Sequence, residues 1–339
     1  MNLKLLTAAL GVTIAALAAG SASAQTLDAV KQRGSVRCGV NTGLPGFASQ
    51  NDKGEWQGLD VDYCKAVAAA VFNDPTKVQY VPLSAVQRFP ALQNNEIDLL
   101  ARNTTWTMDR DTALGLAFAG VNYYDGQGFM VKKELGVSSA QELSGATICV
   151  QAGTTTELNL ADYFSSNNLE YNPVVIEAQA DVNSAYDQGR CDALTTDASG
   201  LYASRLEMGN PDDHIVLPEI ISKEPLGPAV RQGDFQWFNV VKWTHNALLN
   251  AEELGITQAN VEEMKNSQVP DVRRFLGLDG NFGQAIGLDN AWAVNVVKAV
   301  GNYGEIFERN VGATTPLAIQ RGQNALWTDG GLQYAPPIR

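Results

Sequence analysis

A dense group of polar residues lies between Arg102 and Arg110, directly after an apolar segment of the chain. Thr107 fits the N-cap of a short helix, and Arg110 then falls at the third helical position. A helix N-terminus offers unpaired N–H groups to an anion, and an arginine beside it can hold a carboxylate through two parallel hydrogen bonds. The chemistry predicted for this loop is therefore the binding of a carboxylate.

A second group of this kind begins at Gly153, after another apolar segment. Glycine lets a ligand approach the backbone closely, and Thr154 and Thr155 add hydroxyl and N–H groups at the start of the next helix. Asp197, after a later apolar segment, offers a negative charge for an ammonium group. Together these groups describe a site for an α-amino acid. The alternative is that the threonines only cap helices and that Arg110 pairs with a surface acid.

Strands and helices that alternate along the chain must position these residues. Alternation of this kind indicates an α/β fold with two units of similar plan and parallel sheets, in which ligands bind at the carboxyl ends of the strands. The first unit has predicted strands at Val36–Val40, Lys77–Val81 and Ile97–Ala101 and helices at Leu59–Phe72 and Val86–Gln93. The second has strands at Ala146–Gln151, Pro173–Glu177 and Cys191–Thr195 and helices at Thr154–Phe164 and Ala180–Gln188.

The remainder of the chain, from about Phe235, is predicted to be mainly helical. Two earlier segments, Ser139–Glu142 and Thr154–Glu157, have the sequence of a capping box. The helices predicted for the C-terminal part are Trp237–Leu254, Val261–Asn266, Pro270–Leu276, Asp289–Asn310 and Pro316–Gln320.

Composition excludes several classes of function. The chain has 339 residues, with 24 Lys+Arg against 37 Asp+Glu and a net charge of −13, which argues against nucleic acid or anionic lipid as a partner. The two histidines are too few for most metal centres; His214 is predicted in a surface turn and His245 on a helix, neither with a chemical role. Phosphate-loop, metalloprotease and serine-hydrolase motifs are absent from the sequence, so we expect no metal and no cofactor.

The first 24 residues have the features of a secretory signal peptide. Lys4 precedes the apolar run Leu5–Leu17, and Ala22-Ser23-Ala24 forms a cleavage pattern that leaves Gln25 as the new N-terminus. The alternative, a membrane anchor, is less favoured because about 20 apolar residues are needed to span a bilayer. No later segment is apolar enough to span a membrane, so we expect export without direct membrane insertion.

Export changes the interpretation of the four cysteines, Cys38, Cys64, Cys149 and Cys191. Their spacing is not that of a zinc or thioredoxin-type site, and an even number in an oxidising compartment suggests disulfides. Three pairings are possible. Cys38–Cys64 with Cys149–Cys191 is favoured because each bond then lies within one α/β unit, and free buried cysteines remain the alternative.

The chain resembles the amino-acid-binding proteins of bacterial ABC importers, and among them the general L-amino-acid-binding subgroup. The resemblance covers essentially the whole mature chain. It rests on Gly58-Leu59-Asp60-Val61-Asp62, Arg88-Phe89-Pro90-Ala91-Leu92, Glu96-Ile97-Asp98-Leu99-Leu100, Arg102-Asn103-Thr104-Thr105-Trp106-Thr107, Gln151-Ala152-Gly153-Thr154-Thr155 and Gly189-Arg190-Cys191-Asp192-Ala193.

This resemblance implies the two-lobed, type II periplasmic-binding-protein fold, in which two crossing strands join the lobes and a ligand binds in the cleft. The crossings are expected near 127–132 and 226–231. The implied lobes are 25–128 with 230–339, including a helical C-terminal extension, and 129–229.

The resemblance also assigns site residues. Arg110, Thr105 and Thr155 match positions that bind the ligand carboxylate. Asp197 matches the aspartate that binds the ammonium group, and the backbone carbonyl of Asn103 matches a second ammonium partner.

The side-chain pocket departs from that of narrower relatives. Asn41 stands where relatives that select basic amino acids have an acid, and Leu44 stands where several have an aromatic ring. Ala85 is small at a third position. Such walls suit several side chains. Arg102 can favour acidic or amide side chains, and the alternative for Arg102 is a surface salt bridge.

The function implied is periplasmic binding of free L-amino acids, with broad specificity, and their delivery to the permease subunits of an ABC importer by closure of the cleft. We expect no enzymatic activity. The alternatives are a periplasmic dehydratase on the same scaffold, with Glu157 as the candidate carboxylate, a narrower acidic or amide amino-acid binder, and a ligand sensor that acts through a membrane receptor.

Overall fold

The computed structural model describes residues 26–339, so the predicted signal peptide lies outside the described residues. The helices are α1 (Thr26–Arg33), α2 (Leu59–Phe72), α3 (Arg88–Gln93), α4 (Met108–Thr112), α5 (Thr155–Ser166), α6 (Gln179–Asp187), α7 (Ala198–Leu206), α8 (Phe235–Glu253), α9 (Pro270–Phe275), α10 (Phe282–Ala285), α11 (Trp292–Val300) and α12 (Tyr303–Asn310). The strands are β1 (Val36–Asn41), β2 (Ser49–Gln50), β3 (Trp56–Gln57), β4 (Val78–Leu83), β5 (Leu99–Leu100), β6 (Leu116–Phe118), β7 (Tyr123–Asp125), β8 (Gln127–Lys132), β9 (Thr147–Gln151), β10 (Asn172–Ile176), β11 (Ala193–Asp197), β12 (His214–Val216), β13 (Glu224–Leu226) and β14 (Ala229–Arg231).

Lobe 1 is built on a five-stranded sheet with the order β4-β1-β5-β14-β6. β1 is parallel to β4 and β5, whereas β14 is antiparallel to β5 and β6. Helix α2 buries Val61, Cys64, Val67 and Ala68 against this sheet, at the spacing that predicted an amphipathic helix. Since β1 and β5 are parallel, the residues that follow them lie at the same edge of the sheet.

Lobe 2 has a second five-stranded sheet with the order β10-β9-β11-β8-β12. Strands β9, β10 and β11 are parallel, and β8 is antiparallel to β11 and β12. Phe129, Val131, Ile148, Val150 and Phe164 form part of its core. The two predicted α/β units are therefore confirmed as two sheets. The prediction of parallel sheets was wrong, because β14 in lobe 1 and β8 in lobe 2 enter from the connecting strands and run antiparallel to their neighbours.

Two short strands connect the lobes. β7 leads into lobe 2 and β13 leads back, and they pair antiparallel, with Asp125 opposite Glu224 and Tyr123 opposite Leu226. The ranges indicated from the resemblance, 127–132 and 226–231, hold mainly β8 of lobe 2 and β14 of lobe 1, so each crossing lies a few residues earlier. The residue limits predicted for the lobes stay a prediction.

The C-terminal helices return to lobe 1. Helices α8, α11 and α12 pack against α2. Their buried residues, which include Trp237, Val240, Trp292, Val296 and Phe307, belong to the same apolar core as α2 and β1. The tail therefore enlarges lobe 1.

Two predictions for the tail were wrong. The range 289–310 holds two helices, because Gly301 adopts a φ of 78° at the end of α11 and Asn302 then starts α12 in a capping box with Glu305. The range Pro316–Gln320 begins in a turn and continues without regular structure, because Ala318 at its centre has a left-handed φ of 50°. In addition, the predicted helix at 261–266 is a 3-10 helix over its last four residues.

Both capping-box segments begin helices, but neither completes the box. The hydroxyl of Ser139 caps a short 3-10 helix, while the carboxylate of Glu142 does not return to the Ser139 backbone. The hydroxyl of Thr154 accepts from the N–H of Glu157, and the Glu157 carboxylate accepts from Gly153 one residue earlier. The second helix start is therefore stabilised on both sides of Thr154.

The disulfide prediction is confirmed. Cys38 of β1 is bonded to Cys64 of α2, with Cα atoms 6.1 Å apart, and both residues lie in lobe 1. Cys149 of β9 is bonded to Cys191, with Cα atoms 5.7 Å apart, and both lie in lobe 2. Each bond ties a strand to a neighbouring segment of its own lobe.

The histidines are both buried. His245 lies within α8, as the sequence predicted, and its Nδ1 atom is 3.0 Å from the hydroxyl of Tyr63. The prediction of a surface turn for His214 was wrong. His214 begins β12 directly after the turn, so its ring points inward and Nδ1 lies 2.9 Å from the hydroxyl of Tyr186.

Candidate functional site

A small cavity lies between the two lobes, at the carboxyl ends of strands from both sheets. Its volume is about 30 Å³, so an amino acid enters only when the lobes separate. Lobe 1 contributes Asn41, Leu44, Arg88, Arg102, Asn103 and Thr105 to its wall, and lobe 2 contributes Gln151, Thr154, Thr155, Thr156, Gln179, Thr196, Asp197, Gly200 and Ser204. The two loops singled out in the sequence thus face each other across the cleft.

Arg110 is held by the helix start that the sequence predicted. The Thr107 hydroxyl accepts a hydrogen bond from the Arg110 N–H, and the Arg110 guanidinium donates through Nη1 to the backbone carbonyl of Thr105, 2.8 Å away. This places the guanidinium behind Thr105, outside the lining of the closed cavity. Burial lowers the pKa of Arg110, and the carboxylates of Glu224 and Asp197 counteract this.

Arg102 is buried in the cavity wall, with 1% of its surface exposed, which rules out the surface salt bridge. Its Nε donates to the carbonyl of Leu83, 2.9 Å away, and Nη1 approaches Asn103 Oδ1 at 3.4 Å. Within residues 26–339, Nη2 has no hydrogen-bond partner. Burial lowers the pKa of Arg102 to about 10, against the pull of the Asp60 carboxylate. The guanidinium is thus a donor that a ligand can satisfy.

Arg88 is a cavity residue that sequence reasoning did not assign to the site. It begins α3, and its Nη2 atom lies 3.5 Å from the carbonyl of Gly153 in the opposite lobe. Burial, together with the nearby guanidinium groups of Arg102 and Arg110, lowers the pKa of Arg88 well below its usual range. The signal that could have identified it is an arginine directly before the apolar residues 89–92.

Asp197 is the last residue of β11 and is 7% exposed, at the wall of the cavity. In the described part of the chain, no group donates a hydrogen bond to its carboxylate. Burial and the nearby carboxylates of Asp125 and Glu224 raise the pKa of Asp197 well above its usual range. Arg88 and Arg110 oppose only part of this rise. A buried carboxylate without a donor is a strong acceptor for a cation.

The start of α5 supplies N–H donors to the cavity from lobe 2. Gly153 adopts a φ of 72°, and a Cβ atom there would lie 2.7 Å from a methyl group of Val86 in lobe 1, so glycine permits the lobes to meet. Thr155 and Thr156 occupy the first two helical positions, where backbone N–H groups have no acceptor within the helix. These N–H groups suit a carboxylate.

The predicted side-chain pocket is only partly brought together. Asn41 and Leu44 line the cavity, and the Asn41 amide donates to Asn103 Oδ1, 3.0 Å away. Asn103 adopts a φ of 32°, with its N–H bonded to Asp60 Oδ2 at 2.8 Å. Ala85 is fully buried behind the wall and does not line the cavity.

Glu224, on the connecting strand β13, is a second residue that sequence reasoning missed. It is 1% exposed and accepts hydrogen bonds from Thr105 and Thr155, the two threonines assigned to the ligand carboxylate. No local motif marked it, because its partners lie far away in the chain.

Neither a metal site nor a membrane span is found among residues 26–339. No group of three or more His, Cys, Asp or Glu side chains is arranged to hold a metal ion. No helix in this part of the chain combines the length and apolar character that crossing a membrane requires.

The sequence from 36 to 264 matches the model of a protein family described as bacterial extracellular solute-binding proteins, family 3. The chain belongs to this family. The matched range ends before α9, so the last part of the C-terminal tail lies outside the region that the family shares.

Individual relatives match over nearly their whole length. The chain is 67% identical to the general L-amino acid-binding periplasmic protein AapJ of Rhizobium johnstonii, over all of both chains. It is 59% identical to the glutamate/glutamine/aspartate/asparagine-binding protein BztA of Rhodobacter capsulatus, over 97% of each chain. A solved structure of an ABC transporter periplasmic binding protein from Brucella ovis, with glutathione bound, is 64% identical and superposes with a TM-score of 0.91 over 93% of this chain and 99% of that one.

Proposed function

We propose that this protein binds free L-amino acids in the periplasm and delivers them to the permease subunits of an ABC importer. One observation carries the proposal. The cleft places Asp197, a buried carboxylate without a donor, in the same cavity as the N–H groups at the start of α5. An α-amino acid carries the two complementary charges, and two of the relatives named above, AapJ and BztA, are amino-acid-binding proteins.

The ammonium group of the ligand binds Asp197 and the backbone carbonyl of Asn103. Its carboxylate lies between Thr105 and Thr155, within reach of the α5 N–H groups and the positive field of Arg110. Charge-assisted hydrogen bonds contribute roughly 1.5–3 kcal/mol each. Several of them, less the costs of ordering, are sufficient for a micromolar dissociation constant, which corresponds to about −8 kcal/mol.

The specificity we propose is broad, with a preference for side chains that accept hydrogen bonds. Asn41 and Leu44 present neither a fixed charge nor an aromatic ring, so they do not select one class of side chain. Ala85 acts only by leaving room behind the wall. Arg102 supplies the unpaired Nη2 donor, which favours the carboxylate or amide of an acidic or amide ligand.

Closure of the cleft follows from the same contacts. A ligand that touches both lobes stabilises the closed form by its differential affinity for that form. We assign the strands β7 and β13 to the hinge, and the ligand binds next to them. The closed surface is then the form that docks on the permease.

A dehydratase on the same scaffold is the rival function. It requires a carboxylate aimed at the reacting centre of the substrate. Glu157, the candidate, accepts a hydrogen bond from the Gly153 N–H at 3.0 Å and is not among the residues of the cavity wall, which supports binding without chemistry.

The test is calorimetric titration of the mature, ligand-stripped protein with all twenty L-amino acids. We expect micromolar or tighter dissociation constants for many of them, with the tightest binding for glutamate, glutamine, aspartate and asparagine. Binding of those four alone would contradict the broad specificity but would still support the amino-acid site. No binding of any amino acid would overturn the proposed function.

A further inference from the structure

Glu224 links both lobes and the hinge through four hydrogen bonds. Its Oε2 atom accepts from the hydroxyls of Thr105 in lobe 1, 2.6 Å away, and of Thr155 in lobe 2, 2.8 Å away. Its Oε1 atom accepts from Asn159 Nδ2 at 2.7 Å and from the Ser222 hydroxyl at 2.6 Å. All four donors converge on one fully buried carboxylate, which makes no salt bridge with an arginine of residues 26–339.

The direction of these hydrogen bonds follows from the number of protons. A carboxylate only accepts, and a threonine hydroxyl has a single proton to donate. The Oγ1 atoms of Thr105 and Thr155 lie 3.3 Å apart, farther than either lies from Glu224 Oε2. Since a charged acceptor forms the stronger bond, both hydroxyl protons are directed at Glu224.

The ligand cavity is on the other side of these two hydroxyls. Thr105 and Thr155 line the cleft cavity, whereas Glu224 lines a separate open groove of about 890 Å³ behind the hinge. The two threonines therefore present lone pairs, rather than protons, to the cleft. A ligand carboxylate next to them meets acceptors where it needs donors.

We propose that Glu224 is a positioning residue that directs the hydroxyl protons of Thr105 and Thr155 away from the ligand. It thereby limits the affinity of the site for the ligand carboxylate. This inference rests on the proposed function, since it concerns the same amino-acid site. The ligand carboxylate is then bound by the N–H groups of α5 and by the arginines. In the wild-type protein the threonine hydroxyls do not donate hydrogen bonds to the ligand.

The Glu224→Gln substitution tests this directly, because the amide has the shape of the carboxylate and keeps all four hydrogen bonds. The glutamine oxygen accepts from Asn159 and Ser222, and its NH₂ group donates to Thr105 and Thr155. Both hydroxyl protons are then free to turn toward the cleft. Since a hydrogen bond to a charged group is worth roughly a factor of ten or more in affinity, we expect glutamate to bind at least about ten-fold more tightly. Unchanged or weaker binding would overturn the proposal.

Glu170→Gln, at an exposed position of lobe 2 outside the cavity wall, controls for the change in net charge. A double-mutant cycle with Thr105→Val then identifies the hydroxyl. We expect Thr105→Val to weaken binding at least about five-fold more in the Glu224→Gln background than in the wild type, because only there does the Thr105 proton reach the ligand. Equal effects in both backgrounds would contradict the role of Glu224.

A spectroscopic measurement on the wild-type protein does not depend on the folding of the Glu224 variant. Proton NMR is expected to show two protected hydroxyl resonances, one lost in Thr105→Val and the other in Thr155→Val, that persist when glutamate is added to saturation. Loss or a large shift of both on glutamate binding would show that the ligand takes these protons, against the proposal. Failure of the wild type to bind any amino acid would instead overturn the proposed function, so the two failures are distinguishable.

Discussion

The Oγ1 atoms of Thr105 and Thr155 lie 3.3 Å apart, although 50 residues separate them in the chain. Thr105 follows the sheet of lobe 1, and Thr155 is the first residue of α5 in lobe 2. Their contact spans the cleft at the point where a ligand carboxylate is proposed to bind. Separation of the lobes must therefore break this contact, together with two further contacts between the lobes, Arg88–Gly153 and Ser84–Glu177.

Asp197 should be the residue whose loss weakens ligand binding most. Replacement by alanine leaves a buried ammonium group without its partner, and truncation of one member of a buried charge pair costs about 2–5 kcal/mol. We expect the dissociation constant for glutamate to rise at least about thirty-fold in Asp197→Ala, with circular dichroism unchanged. Asp212→Ala, which removes an exposed charge from the same lobe, should bind as the wild type does. A loss of binding free energy below about 1 kcal/mol, the range of an exposed ion pair, would contradict the assignment of Asp197 to the site.

Ligand binding should release a proton from Asp197 when the pH lies below its raised pKa. The pKa of Asp197 is raised well above its usual range by burial and by the carboxylates of Asp125 and Glu224, so in the free protein it keeps its proton to a higher pH than usual. The ligand ammonium favours the ionised form and lowers that pKa. Affinity should therefore be full above the raised pKa and fall as the pH drops below it.

Titration in two buffers with different ionisation enthalpies measures this proton release. The Asp197→Asn variant should release no proton from this position, which separates it from Asp125, whose pKa burial raises to about 6. Equal proton release from the wild type and Asp197→Asn would assign the effect to another group.

Arg102 should set the preference among ligand side chains. Arg102→Met keeps much of the buried volume and removes the Nη2 donor at the cavity wall. We expect the affinity for glutamate to fall at least about ten-fold relative to that for alanine, because only glutamate has a side-chain acceptor for this donor. The ratio of the two affinities, measured on the same sample, is independent of the folded fraction. An unchanged ratio would place the specificity elsewhere.

His245 should make the fold sensitive to acid. Burial lowers its pKa to about 4, below the 6.5 of the unfolded chain, so the unfolded state binds the proton more tightly. Its contribution to the free energy of unfolding is complete above pH 6.5 and decreases by about 3 kcal/mol as the pH falls to 4. In urea denaturation at pH 7, 5 and 4, the free energy of unfolding should fall less steeply with pH in His245→Gln than in the wild type. The glutamine amide oxygen can still accept a hydrogen bond from the Tyr63 hydroxyl. A slope equal to that of the wild type would contradict this assignment.

Asn324 should connect the C-terminal tail to the hinge. Its side-chain amide makes two hydrogen bonds with the backbone of Tyr124 in β7, at 2.7 Å to the N–H and 3.0 Å to the carbonyl. Asn324→Ala leaves both backbone groups without these partners, so we expect the free energy of unfolding to fall by about 1–3 kcal/mol. Denaturant titration measures this. The exposed Gln323→Ala serves as the matched control, and an equal effect of both substitutions would contradict a specific role of the Asn324 amide.

Much of the fold could be predicted because the patterns are local. The apolar spacing of α2 predicted its limits at Leu59 and Phe72, and Thr107 and Thr154 marked helix starts through the hydrogen bonds of their own side chains. The tail was less predictable. The break at Gly301 and Asn302 falls within one continuous apolar pattern, because the helices on both sides of it bury side chains in the same core of lobe 1.

The sequence by itself determined the two α/β units and the polar loops at the ends of their strands, since each depends on residues close together in the chain. It favoured the disulfide pairs Cys38–Cys64 and Cys149–Cys191, but three pairings were possible, and the structure decided among them. Only the tertiary structure decided which groups on those loops reach the cavity. Arg88 lines it and Arg110 lies behind Thr105, because the packing of α3 and α4 sets the direction of each guanidinium. Glu224 joins the site across a separation of 119 residues from Thr105, a contact that no local pattern carries.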